Sequence, residues 1–219
     1  MTARYFEMGI TTLVFDFDGT LARQTLDFGV MRRAAVEAIA EHVAVPDRPD
    51  LPVMELLACI GTETEATKAA CLAALAAVRQ VEMNAARESA LFPYVRPMMA
   101  RLQELGLGMG IITRNCREAV DTVFPGVGAC CCCLLTRDDV AEVKPHPGHL
   151  LQALDILGCS PEHALMIGDH PMDITVGKRA GTKTAGVATG GHSLEALRVC
   201  SPDIAQPNGE ALMRQLGIF

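Results

Sequence analysis

Apolar and polar residues alternate along this chain in two rhythms. Thr12-Leu-Val-Phe-Asp-Phe17 is a short apolar run rich in β formers that stops at Asp18-Gly19-Thr20. A run closed by such a turn signal reads as a buried strand. Phe28 to Val45 then carries apolar residues at helical spacing and ends before Pro46. Asp47-Arg-Pro-Asp-Leu-Pro52 is a breaker-rich linker, and no element is assigned between it and Thr62. From Thr62 a long Ala-rich stretch runs to about Leu91, with Thr62 and Glu65 in capping-box register. No strand pattern occurs between residues 22 and 93, so this block, closed by Phe92-Pro93-Tyr94, is expected to be all helical.

Beyond it strands and helices alternate. Val95 to Leu105 reads as a helix stopped by Gly106, Leu107 to Thr113 as a strand, Asn115 to Phe124 as a helix and Ala129 to Thr136 as a strand. Pro147 to Leu157 reads as a helix, Ala164 to Gly168 as a strand, Pro171 to Ala180 as a helix and Thr184 to Ala188 as a strand. Weaker helices at Ser193 to Val199 and Gly209 to Leu216 follow. Such alternation indicates a parallel sheet covered on both faces. The expected fold is therefore α/β: a doubly wound parallel sheet (Rossmann-like core) over 1–21 and 94–219, interrupted after its first strand by an all-helical insertion over 22–93.

Composition narrows the function. The 219 residues carry a net charge of −7, which argues against a non-specific polyanion binder because counterion release needs a basic surface. With no Trp, two Tyr and seven Phe, a base-stacking platform is not expected either; no nucleic-acid partner is expected. No basic segment followed by an apolar run opens the sequence, and no 18-residue stretch lacks charges and breakers, so neither secretion nor membrane spanning is expected. The nine cysteines are odd in number, and four are contiguous, Cys130 to Cys133. That spacing suits small buried hydrophobes in a reducing cytoplasm better than a disulfide framework.

Ligands of open parallel sheets bind at the carboxyl ends of strands near a topological switch point. There the sequence places Asp16 and Asp18 after the first strand, Thr113-Arg114-Asn115 after the second, and Lys144 in Val143-Lys-Pro-His-Pro147. Asp169 follows a later strand, with Asp173 at the start of the next helix. Carboxylates gathered at one edge raise each other's pKa unless a cation neutralises them. All-oxygen ligands favour Mg²⁺, and the set suits phosphoryl transfer with an Asp nucleophile.

The motifs Phe15-Asp16-Phe-Asp18-Gly-Thr20-Leu, Ile112-Thr113-Arg-Asn, Lys144-Pro145 and Gly168-Asp169-His-Pro-Met-Asp173, with Ala180-Gly181 downstream, resemble the haloacid dehalogenase superfamily, in that family's order. The resemblance implies Asp16 as nucleophile and Asp18 as the acid and base whose backbone carbonyl helps ligate Mg²⁺. It implies Thr113, Arg114, Asn115 and Lys144 as phosphate-binding residues, with Lys144 also anchoring Asp16. Asp169 and Asp173 would complete a metal site with Asp16 and Asp18, and the helical insertion would be a small cap that closes over the site. The implied activity is a Mg²⁺-dependent phosphomonoester hydrolase of phosphoglycolate-phosphatase type, acting on a small phosphorylated metabolite in the cytoplasm. A sugar phosphomutase, a hydrolytic dehalogenase or a non-catalytic binding protein of the same fold are the alternatives. Oligomeric state and the physiological substrate are not legible.

Of the remaining residues, His146 is placed near the mouth of the site and His149 on a helix surface, while His170 is a candidate neighbour of bound phosphate. Arg23, Arg32 and Arg33 are candidate contacts for an anionic substrate from the helical insertion.

Overall fold

The computed structural model describes residues 4–219. The chain divides into two compact units, Met1–Gln24 with Ser89–Phe219, and Thr25–Glu88. In the first, α1 (Arg4–Glu7) precedes β1 (Thr12–Phe15). The strand expected to reach Phe17 stops at Phe15, because the chain turns: the Phe17 carbonyl accepts the N–H groups of Thr20, Leu21 and Ala22 at 3.3, 2.9 and 2.9 Å.

The second unit holds α2 (Phe28–Ala40), α3 (Val53–Ile60) and α4 (Glu65–Glu88). Asp27 caps α2, accepting from Val30 N at 2.9 Å. The cap of α4 is Thr64 rather than Thr62: Thr67 N donates to Thr64 Oγ1, and Thr64 N donates back to Thr67 Oγ1, both at 3.1 Å. A threonine thus does the work expected of Glu65. Ala70, Ala74 and Val78 lie one turn apart on α4 and are buried with Ala35, Ile39, Val53 and Leu56. Small residues at that spacing let helices approach closely. Arg32 is occupied within this unit, donating to the carbonyls of Leu51 and Arg48, while Arg33 is exposed.

The first unit resumes with α5 (Val95–Glu104), β2 (Gly108–Ile112), α6 (Arg117–Val123), α7 (Val127–Cys130) and β3 (Cys133–Leu135). The strand expected from Ala129 is a helical turn there, closed by Cys131 N donating to Val127 O. Cys131 and Cys133 are buried and Cys132 is exposed, the alternation of extended chain; the Cys130 side chain lies outside the described residues. Then come α8 (Pro147–Leu157), β4 (Ala164–Gly168), α9 (Pro171–Ala180), β5 (Lys183–Val187), α10 (Leu194–Val199), β6 (Ile204–Gln206) and α11 (Gly209–Leu216).

All strand pairs are parallel, in the order β3-β2-β1-β4-β5-β6. This is the doubly wound 3-2-1-4-5-6 order. Leu13 and Phe15 face a layer containing Met98, Leu102, Phe124, Leu212 and Leu216. Val14, one residue out of phase, faces Leu150, Leu154 and Val176. Burial on both faces explains the unbroken apolar runs; each such side chain contributes about 1.5–3 kcal/mol. The chain leaves β1 toward β2 and β3, then returns to place β4 on β1's other side. The switch point therefore lies between β1 and β4. No helix among the described residues is long and apolar enough to cross a membrane.

Candidate active site

Asp16 directly follows β1, its N–H donating to Ile167 O of β4 at 2.8 Å. Asp169 directly follows β4. The two strands pair in register, so neighbouring strand ends carry both carboxylates into the switch point. Asp173 reaches them from the first turn of α9. His170 caps that helix, accepting from Met172 N at 3.0 Å, while Asp173 Oδ2 accepts from His170 N at 3.1 Å. Asp173 is thus a helix-start acid and a site residue at once.

Lys144 ties this group together. Its Nζ donates to Asp16 Oδ1 at 2.6 Å and to Asp173 Oδ1 at 2.7 Å, and the residue is only 2% exposed. Ligand oxygens of Asp16, Asp169 and Asp173 lie within 4.8 Å of one another, and all three residues are buried. Three carboxylates face one ammonium. Burial opposes the lysine's charge, but the two carboxylates outweigh it and hold its pKa above the ordinary value. Burial raises Asp16, with Lys144 pulling the other way. Burial, followed by the Asp16 charge, pushes Asp169 up to about 8. The excess negative charge calls for a cation, and an all-oxygen donor set suits a hard divalent ion.

The space around the carboxylates is kept open by glycines. A Cβ at Gly19, whose φ is +82°, would lie 2.6 Å from Asp169 Cγ. One at Gly168 would lie 2.2 Å from Asp173 Cγ, and one at Gly190 would lie 1.8 Å from Asp169 Oδ2. The donor set and this cradle both fit a divalent cation.

The remaining expected residues form a second group beside the first. Thr113 and Asn115 are buried. Thr113 Oγ1 accepts from Asn115 N at 3.1 Å, and Asn115 Nδ2 donates to Asp18 Oδ2 at 3.0 Å. The Asp18 carboxylate is therefore held by Asn115, outside the three-acid cluster. Arg114 Nη1 lies 3.3 Å from Met172 Sδ, in the first turn of α9.

Several residues with no assigned role also belong here. Thr20 Oγ1 reaches both Asp169 Oδ1 (3.3 Å) and Asp16 Oδ2 (3.5 Å). The Tyr94 hydroxyl donates to Thr20 O at 2.5 Å, and Thr189 Oγ1 donates to Gly19 O at 2.5 Å, fixing the turn after β1. His149 is the clearest departure from expectation. It is 0% exposed rather than on a helix surface, because 149, 150, 153 and 154 form the buried stripe of α8. That spacing was the available signal. His146 caps α8, accepting from Gly148 N at 3.1 Å. His170 stacks edge-on against His192, with centroids 4.3 Å apart; burial, then His192, lowers its pKa to about 4.

A family model described as haloacid dehalogenase-like hydrolase matches residues 13–187. Pyrophosphatase PpaX of Anoxybacillus flavithermus is 34% identical over 231 residues, covering 96% of this chain and 99% of that protein. Pyrophosphatase PpaX of Oceanobacillus iheyensis is 29% identical over 205 residues, covering 90% and 92%. Among solved structures, a hydrolase from Pseudomonas syringae has the same fold, with a TM-score of 0.71 at 19% identity, covering 94% of this chain and 98% of that one. The motif order in the sequence, the strand order of the sheet and these matches agree: the chain belongs to the haloacid dehalogenase-like hydrolase family and is a hydrolase of the phosphatase type.

Proposed function

We propose that the protein is a Mg²⁺-dependent phosphatase that hydrolyses a small phosphorylated metabolite through an aspartyl-phosphate on Asp16. The observation that carries the reading is the Lys144 ammonium clamped between Asp16 and Asp173 at 2.6 and 2.7 Å, within an otherwise acid-rich site. Asp16, Asp169, Asp173 and the Asp18 backbone carbonyl would hold the ion. When bound it neutralises the phosphoryl oxygens and offsets the carboxylate repulsion.

An Asp16 oxygen attacks phosphorus while the bond to the leaving oxygen breaks, and Asp18 gives that oxygen its proton. Water then attacks the aspartyl-phosphate, Asp18 takes the water's proton, and the phosphorus–Asp16 bond breaks to release phosphate. The Asn115 amide donates to Asp18 Oδ2 and orients the carboxyl for that transfer. Lys144 has three N–H donors; two go to Asp16 and Asp173, and the third serves a phosphoryl oxygen, as does Thr113. Arg114 is assigned to an anionic substrate group. The helical insertion takes the place of the family's cap, and substrate choice is assigned to it.

The relatives named as pyrophosphatases add inorganic pyrophosphate to the candidate substrates, alongside phosphomonoesters such as phosphoglycolate. The test is phosphate release from p-nitrophenyl phosphate and from pyrophosphate, with and without Mg²⁺. Activity abolished by EDTA is expected, and Asp16→Asn is expected to lose on the order of 10³-fold or more. Turnover by Asp16→Asn at the wild-type rate would overturn the assignment.

A further inference from the structure

His149 is a buried imidazole to which the proposed reaction gives no part. Its Nδ1 accepts the backbone N–H of Lys144 at 3.2 Å, and its Nε2 lies 3.2 Å from the carbonyl of Leu135. An N–H can only donate, so Nδ1 is unprotonated. Nε2 therefore carries the hydrogen and donates it to Leu135 O. The same carbonyl accepts the N–H of Thr113 at 3.0 Å. One ring thus joins the end of β3, the loop bearing Lys144 and, through a shared carbonyl, the end of β2 bearing Thr113.

We propose that His149 is a positioning residue which, as the neutral Nε2–H tautomer, sets the Lys144 loop against the β2 and β3 ends and so places the Lys144 ammonium between Asp16 and Asp173. The inference rests on the phosphatase reading for its kinetic consequence, although the placement itself can be read without turnover. Burial, then the Lys144 charge, pushes the His149 pKa down to about 4, in keeping with the neutral ring that its two hydrogen bonds require. Among the described residues no other side chain of α8 is hydrogen-bonded to the Lys144 backbone, so within α8 this ring is the hydrogen-bonded link between that loop and the end of β3.

Two substitutions divide the ring's functions. Asparagine puts its amide oxygen where Nδ1 stands and keeps the acceptor for Lys144. Glutamine puts its amide nitrogen where Nε2 stands and keeps only the donor to Leu135. His149→Asn and His149→Gln, each keeping one of the two bonds, are expected to lose less kcat on p-nitrophenyl phosphate than His149→Leu, which keeps neither and loses roughly 10- to 100-fold, the scale found for residues that orient a site from behind. The amide of Lys144, followed by hydrogen exchange, should stay protected in His149→Asn and become exposed in His149→Gln. Equal kcat in all three variants, or losses that follow melting temperature alone, would overturn the proposal. For variants that do not fold, nitrogen NMR of the wild-type imidazole decides: a proton on Nδ1 overturns it, and one on Nε2 supports it. A wild type without phosphatase activity would sink the functional reading, while the exchange and NMR results would still decide this one.

Discussion

Gly190→Ala tests the site by adding one methyl group and removing no functional atom. Its Cβ would sit 1.8 Å from Asp169 Oδ2 and 2.6 Å from Asp169 Cγ, with Gly19 Cα only 3.2 Å away. A carbon and an oxygen in contact stand about 3.3 Å apart, so the carboxylate must retreat by about 1.5 Å. Mg²⁺ demands near-ideal octahedral geometry at about 2.0–2.1 Å and cannot follow such a shift. The expected result is a roughly 10- to 100-fold loss of Mg²⁺ affinity, or about 1.4–2.7 kcal/mol, measured by titration calorimetry. Gly191→Ala is the control, since nothing lies within 4 Å of its added Cβ. Both variants should melt as cooperatively as wild type. Equal Mg²⁺ affinity in the two variants would refute the placement of the ion beside Asp169.

Asp169→Asn should raise the Mg²⁺ concentration for half-maximal activity by roughly 10- to 100-fold, and an unchanged requirement would remove Asp169 from the ligand set. The metal-free protein should also lose stability as pH rises. Asp169 binds its proton more tightly folded, at about 8, than unfolded, at 3.8. Its contribution is therefore complete below the unfolded value and is lost as pH climbs through 8, by up to about 2 kcal/mol between pH 6.5 and 8. His149 acts in the opposite sense, lowered from 6.5 to about 4, and withdraws up to about 3 kcal/mol as pH falls through that window. Between about pH 4 and 6.5 the two slopes oppose and cancel, so thermal melting in EDTA should be level there and fall between pH 6.5 and 8, and saturating Mg²⁺ should flatten that alkaline limb. A profile that stays flat from pH 6.5 to 8 in EDTA would contradict the crowding of Asp169.

The parallel core was legible because its strands are buried on both faces and so appear as unbroken apolar runs ending at turn residues. That pattern places Asp16, Thr113 and Asp169 at strand ends. Elements lacking a periodic signature were not legible. The α3 run, Val-Met-Glu-Leu-Leu-Ala-Cys-Ile60, is apolar almost all round and follows a linker dense in breakers. The three residues of β6, Ile204–Gln206, are too few to show alternation. The Thr64 cap was hidden by a neighbouring threonine in register with a glutamate. Within the site, residues bearing charge at motif positions stood out. Thr20 reaches Asp169 across 149 positions, and His149 bonds only to backbone groups, and no local pattern announces such partners.

The partners in the cluster come from far apart in the chain: Lys144 and Asp16 are separated by 128 positions, Thr20 and Asp169 by 149, and Thr189 and Gly19 by 170. Such distant pairings are late and slow to form. A nascent chain that has not yet emerged past Gly190, or a fragment cut before β5, would carry scattered aspartates with little grip on any ion. Under the proposed function, uptake of a divalent ion would therefore register only molecules whose central strands have all found their neighbours.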